Sequence, residues 1–293
     1  MSKSIKNTID KELQSCWINK MKMGWGKASG EKQGFYFYQE AAKFVKGGVV
    51  LDAGAGQLRF EPFFEKSIYI SQEHTTGIEL KSMKNIEYDL ISTLDEKIPL
   101  KDSCIDEIIC NSTLEHIRYP EKFFAEAFRV LKPGGRIYIS VPFIIMEHEI
   151  PYDFQRPTRF GLERWLDDAG FSRIMIKAGS TCVQSLTAYL PIAIVYDLLQ
   201  TDKNPKKLFL EILQRKNGIQ ELIRRMPNFI MAGMGYIFMK LFVSFINMLT
   251  NVEVYQEANI PTGWLTAASK PGRYIRKSYK NKEVFLQLNR YEK

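Results

Sequence analysis

Between Val49 and Lys177 the chain alternates short β-branched runs with helix-like stretches, a rhythm that builds a parallel sheet covered by helices. In order, the strands are expected at Val49–Asp52, Ser67–Ser71, Asn85–Asp89, Ile105–Cys110, Arg136–Val141 and Arg173–Lys177. A helix is expected from Pro120 to Leu131. Lys132-Pro-Gly-Gly135 should end it, because proline cannot continue a helix and glycine supplies the positive φ of a turn. A second helix, Arg159 to Ala169, leads through Gly170 and Phe171 into the sixth strand.

Outside that core the pattern changes twice. Gly34 to Val45 reads as an amphipathic helix before the first strand, and residues 1–33 as an N-terminal arm or cap. From Ser180 to Val254 the signals are helical throughout, and Gly263-Trp-Leu-Thr-Ala-Ala-Ser269 then returns to strand character and should close the sheet. The expected organisation is therefore a domain over 34–179 and 255–273, a helical insertion over 180–254 and a basic tail over 274–293. The apolar stretch Phe229 to Leu249 is as long as a membrane span. A single crossing there would leave the closing strand on the wrong side of the bilayer, so the stretch reads as a lid, core or dimer element, or as an in-plane membrane contact.

Composition removes several classes. A chain of 293 residues with 45% hydrophobic and 25% charged residues can bury a sizeable core, which excludes intrinsic disorder. The first ten residues contain no apolar h-region, so a cytoplasmic protein is expected, membrane-peripheral if the insertion touches lipid. Cys16, Cys104, Cys110 and Cys182 are scattered with no C-x-x-C pair, which argues against a disulfide framework and against a zinc site; no metal is expected. The net charge of +8, part of it in the segment from Lys270 onward, permits an anionic partner. With no arginine-rich block and no aromatic RNA-binding motif, there is no strong nucleic-acid signal.

The exit of the first strand carries the most specific chemistry. Gly54 and Gly56 allow a tight turn and a close backbone approach to a ligand. Asp52, at the strand end, can accept hydrogen bonds from turn amides or a cationic ligand. Glu73 follows at the ~20-residue spacing at which a carboxylate meets a ribose diol. A pyrophosphate-binding G-x-G-x-x-G would need glycine where Arg59 stands, which makes a dinucleotide a poor fit.

Four runs together, Val50-Leu-Asp-Ala-Gly-Ala-Gly56, Ile98-Pro-Leu-Lys-Asp102, Thr113-Leu-Glu-His-Ile117 and Arg129-Val-Leu-Lys-Pro-Gly-Gly135, resemble the class I S-adenosylmethionine-dependent methyltransferases, in particular the type 11 branch. The resemblance covers roughly Val49 to Lys177. It implies a Rossmann-like, doubly wound, seven-stranded α/β sheet with an antiparallel last strand and S-adenosylmethionine as cofactor. It also implies Asp52, Ala53, Gly54 and Gly56 around the methionine moiety, Glu73 on the ribose, Asp89 and Leu90 at the adenine, and Asn111 beside the sulfonium. The chain departs from the family at Leu58, where a third glycine is usual, and at Ser71-Gln-Glu-His74, where Gln72 can share the ribose contact.

Methyl transfer displaces a carbon already activated by the sulfonium, so the protein aligns and desolvates, and only a hydroxyl acceptor needs a base. The three histidines, His74, His116 and His148, each fall just beyond a strand's carboxyl end. His148 and His116 are the candidate bases, with Asp153 and Tyr152 behind them. In competition, Leu-Glu-His is a structural helix start, Asp153 and Arg156 pair to fix their loop, and Asp102 and Asp106 cap turns. The expected acceptor is a small molecule, such as a saccharide or lipid-linked intermediate. An RNA or protein methyltransferase and a non-catalytic binding protein of the same fold are the alternatives, and the sequence allows a homodimer.

Overall fold

The computed structural model describes residues 37–39, 41–45, 47–74, 86–179, 205–215, 217–249, 261–273 and 280–290, with Val195 and Leu199. Seven strands form one sheet: β1 (Gly48–Ala53), β2 (Ser67–Glu73), β3 (Leu90–Ile91), β4 (Ile105–Asn111), β5 (Leu131–Pro142), β6 (Ser172–Ala178) and β7 (Gly263–Ser269). Their spatial order is β3-β2-β1-β4-β5-β7-β6. β7 runs antiparallel between β5 and β6, and the other pairings are parallel. Strand order reverses between β1 and β4, and in an open parallel sheet the crevice beyond the carboxyl ends at such a reversal is where ligands bind.

Helices cover both faces, so β1 and β4 are buried almost throughout, Asp52, Asp106 and Glu107 included. One face carries α1 (Pro120–Val130), α2 (Arg159–Asp168) and α5 (Lys282–Asn289). α1 presents Phe123, Phe124, Ala127 and Val130 at helical spacing to Leu51, Ile108 and Ile139. The hydroxyl of Thr158 caps α2 by accepting from the Gly161 amide at 3.1 Å. On the other face Phe37, Tyr38 and Ala41, from the helical residues ahead of β1, pack with Phe64 and Tyr69 against Val50 and Ile109.

The helical insertion contains α3 (Pro205–Leu213) and α4 (Gly218–Leu249), which share a small core of Leu208, Ile212, Leu222 and Ala232 with Leu199. α4 leaves Ile219, Ile223, Ile230, Met234, Ile237, Phe238 and Leu241 more than half exposed. Among the described residues no helix is long and apolar enough to cross a membrane. The expected N-terminal arm, Cys16 and Cys182 lie outside the described residues.

Four expectations need correction. The third strand lies at Leu90–Ile91 rather than Asn85–Asp89, because Gln72 and Glu73 at the end of β2 pair with those two residues. Lys132-Pro-Gly-Gly135 does not separate helix from strand: β5 begins at Leu131, opposite Ile105, and the four residues form an irregularity before pairing resumes at Arg136 and Glu107. Asp106 does not cap a turn. It is fully buried within β4, where it accepts from Lys132 Nζ at 2.7 Å and from the Val49 amide at 2.9 Å. Finally, much of the basic tail is α5, with Phe285 completely buried in the main core and Asn281 capping the helix through the Val284 amide.

Candidate active site

The turn after β1 is held by the end of β2. The Gly54 and Ala55 amides donate to the Gln72 carbonyl at 3.1 and 2.9 Å, and the Gly54 amide also reaches Gln72 Oε1 at 3.1 Å. The Gly56 amide donates to Glu73 Oε2 at 2.7 Å. These contacts correct the reading in which Asp52 takes the turn amides. Asp52 is fully buried and accepts instead from the hydroxyls of Tyr38, at 2.6 Å, and Tyr69. Burial pushes its carboxyl up to about 7, against the pull of the two hydroxyls and with help from the Glu73 charge.

The two glycines act differently. A Cβ on Gly54, at φ +83°, would sit 2.2 Å from Thr113 Oγ1, so this glycine lets the β1 exit abut the segment after β4. A Cβ on Gly56, at φ +54°, would meet nothing within 4 Å, so this glycine faces open space. Leu58 adopts φ +54°, the left-handed conformation natural to glycine.

Glu73 is half-buried, with Oε1 accepting from the His74 amide at 2.9 Å. Asn111 is half-buried at the end of β4, and Ala53 is completely buried. Asp89 is committed elsewhere in this conformation: Oδ2 accepts from the Ser71 amide and hydroxyl at 2.9 and 2.8 Å and from Lys282 Nζ at 3.1 Å. The Leu90 side chain lies in the core, which leaves only its backbone for a ligand. Gln72 is buried and braces the turn, with Nε2 donating to the Ser92 carbonyl.

Beyond β4 the chain makes a short 3-10 turn, Leu114–His116, in which Leu114 and Glu115 point inward. The loop after β5 docks on it. The Phe154 and Gln155 amides donate to the Glu115 carbonyl at 2.8 and 3.1 Å, and His116 Nδ1 lies 2.8 Å from the Tyr152 carbonyl oxygen. Trp264 of β7 pins the end of this loop by donating to the Pro157 carbonyl at 2.9 Å. His116 and His148 thereby meet edge to face, with ring centres 4.9 Å apart.

Asp153 organises this loop. It accepts from the His148 amide at 3.0 Å and from both terminal nitrogens of Arg156, at 2.5 and 2.6 Å. Partial burial alone would raise its pKa, but the hydrogen bonds from Arg156 and His148 and their charges outweigh this and hold the carboxyl below its ordinary range. Glu115 is the opposite case: full burial, with Asp153 and Glu149 adding repulsion, outweighs the pull of its own backbone amide and of Arg156 and raises its carboxyl to about 8.

The structure thus brings together Gly54, Gly56 and Glu73 at one strand exit, and His116, His148 and Asp153 at the neighbouring one. The cluster that joins His116 to His148 does not contain His74. Two residues escaped the sequence reading. Thr113 abuts Gly54, and Glu115 sits within the Leu-Glu-His run that reads as an ordinary helix start. A carboxylate beside an imidazole at the carboxyl end of a parallel strand was the available signal.

Residues 51–139 match the methyltransferase domain family. An uncharacterized protein of Methanocaldococcus jannaschii is 35% identical over 101 residues, covering 34% of this chain and 47% of that one. The mitochondrial ubiquinone biosynthesis O-methyltransferase of Mus musculus is 31% identical over 87 residues, covering 30% and 23%. The chain thus aligns with less than half the length of these curated relatives. Among solved structures, a SAM dependent methyltransferase from Archaeoglobus fulgidus matches over 83% of this chain and 96% of its own, at 14% identity and a TM-score of 0.47.

Proposed function

We propose, from the match of residues 51–139 to the methyltransferase domain family and from the site described above, that this chain moves the methyl group of S-adenosylmethionine to a hydroxyl of a small-molecule acceptor. The observation that carries this reading is the convergence of His116, His148 and Asp153 one strand away from the glycine turn. In support, the loop bearing His148 is hydrogen-bonded onto the segment that touches Gly54 through Thr113. The mouse relative, named for O-methylation in ubiquinone biosynthesis, points to the same kind of acceptor atom.

The residues of the turn fit the cofactor. Gly56 leaves room for it, Glu73 offers a half-exposed carboxylate suited to a ribose diol, and Asn111 stands at the β4 exit toward the reacting end. The bound cofactor supplies a methyl carbon made electrophilic by the sulfonium. The protein's share is to hold the acceptor oxygen in line and to take its proton at the histidine cluster. Met146, Ile150, Tyr152 and Phe154, all at least 40% exposed on that loop, suit an acceptor with an apolar body, such as a lipid-linked or ring-bearing alcohol.

Calorimetry with S-adenosylhomocysteine tests this. The wild type should bind, and Glu73→Ala should bind about 10- to 100-fold more weakly, the scale of lost hydrogen bonds to a charged group. His148→Ala should bind as the wild type does, while its methylation rate on a hydroxyl acceptor falls by about two to four orders of magnitude. Absence of wild-type binding would overturn the cofactor site, and joint loss in His148→Ala would make that residue structural.

A further inference from the structure

Glu115 is fully buried, yet neither carboxylate oxygen has a hydrogen-bond partner. A buried acceptor left in that state costs about 1–3 kcal/mol, more when charged, unless something answers it. Besides the more distant Arg156 guanidinium, which pulls on its charge, two imidazole nitrogens face it. Glu115 Oε1 lies 3.8 Å from His116 Nε2 and 3.9 Å from His148 Nε2. All three ligand atoms, one from each residue, fall within 4.8 Å of one another.

The protons of both imidazoles are directed away from this point. His116 Nδ1 faces the Tyr152 carbonyl oxygen at 2.8 Å, so it must carry the hydrogen. His148 Nδ1 faces Asp153 Oδ2 at 3.2 Å and the Met146 carbonyl oxygen at 3.3 Å, two acceptors against the single more distant donor, Arg156 Nη2 at 3.4 Å. In the neutral imidazoles both Nε2 atoms present lone pairs toward the Glu115 carboxylate, and a metal ion binds that form. Orientation of a histidine through its other nitrogen by a carboxylate or a backbone carbonyl is how proteins prepare imidazoles to bind metals.

A proton does not satisfy this arrangement, because a hydrogen bond cannot span 3.8 Å. A cation does. We propose that Glu115, His116 and His148 form a binding site for one divalent transition-metal ion per chain. Two imidazole nitrogens and one carboxylate oxygen suit zinc, manganese, iron or cobalt, and the set leaves coordination positions open. With bonds of about 2.1 Å the ligand atoms need to close only to roughly 3.4 Å. Glu149 Oε2, 3.6 Å from His116 Nε2, is a fourth oxygen at the rim.

The role of the ion rests on the function proposed above, whereas its binding does not. An acceptor hydroxyl on an open position would lose its proton to water at neutral pH, as metal-bound oxygens do. That oxygen then forms the bond to the methyl carbon as the carbon–sulfur bond breaks, giving a methyl ether and S-adenosylhomocysteine. With the ion bound, His116 and His148 contribute to removal of that proton at the cluster by holding the ion, so the loss of rate in His148→Ala is expected on either route.

The test titrates chelator-stripped, untagged full-length protein with Co²⁺, followed by visible absorption, and with Zn²⁺ by calorimetry. One ion per chain is expected, with the absorption of a site bearing nitrogen and oxygen ligands. His148→Ala and Glu115→Gln should each lose that binding, Asp153→Asn should weaken it about 10- to 100-fold, and His74→Ala should leave it intact. Absence of stoichiometric binding, or binding unchanged in His148→Ala, overturns the proposal. His148 is partly exposed on a loop, so that variant decides the matter even if Glu115→Gln does not fold. S-adenosylhomocysteine binding measured on the same stripped protein reports on the cofactor site separately, so either reading can fail alone.

Discussion

Leu58 holds a backbone conformation that L-residues adopt at a cost of about 1–2 kcal/mol, while its side chain packs among Phe60, Phe63 and Tyr38. Truncation separates the two effects. At an ordinary site glycine is the worse replacement, because it adds freedom to the unfolded chain. Here Leu58→Ala loses the packing and keeps the strain, whereas Leu58→Gly loses the same packing and releases it. Leu58→Gly should therefore be the more stable of the two by about 1 kcal/mol in urea unfolding, and the reverse order would show that the turn is not strained. Legible in the sequence at this scale were the glycines whose work is backbone freedom, Gly54 and Gly56, both at positive φ. The destinations of Asp52 and Glu115 were not legible, because they depend on Tyr38, Tyr69 and a loop some thirty to forty positions away, none of which leaves a local signature.

Among the elements, β1, β2, β4 and β7 were readable because burial writes short apolar or β-branched stretches, such as Val49-Val-Leu51 and Ile108-Ile-Cys110, into them. β3 was not, since its two residues pair only with the tip of β2 and carry no periodicity. α5 was hidden for a different reason: lysines and arginines around it mask a short apolar face of Val284, Phe285 and Leu286. Its anchoring is extensive for eight residues. Phe285 is completely buried, Lys282 reaches Asp89 at 3.1 Å, and the Lys101 amide donates to the Asn289 carbonyl at 2.7 Å. Phe285→Ala should cost about 3–5 kcal/mol, the usual range for emptying a core phenylalanine site. A loss below about 1 kcal/mol in chemical denaturation would return the segment to the status of a solvated tail.

For the molecule as a whole, buried carboxyls set the direction of pH dependence. Burial raises Asp52 and Glu107 to about 7, Glu107 despite the attraction and hydrogen bonds of Arg136, and Glu115, raised to about 8, acts in the same direction. Between the ordinary carboxylate range and pH 7 the folded chain thus holds protons that the unfolded chain has released. Stability should fall as pH rises through that window, by up to about 1.4 kcal/mol per pH unit for each group. The urea midpoint should accordingly be higher at pH 5.5 than at pH 8, and an unchanged or inverted midpoint would mean that these carboxyls are ionised in the fold.

The position of β7 imposes an order on how this protein is made. β6 joins the sheet only through β7, and Ser172 meets Ser269 across 97 positions of sequence, with the helical insertion between them. Trp264 of the same strand steadies the loop that presents His148. A chain emerging from the ribosome can therefore pair β1, β2, β4 and β5 early. It must still wait for roughly a further hundred residues before its acceptor side acquires a shape, and until then the outer edge of β5 stays open to the wrong partner.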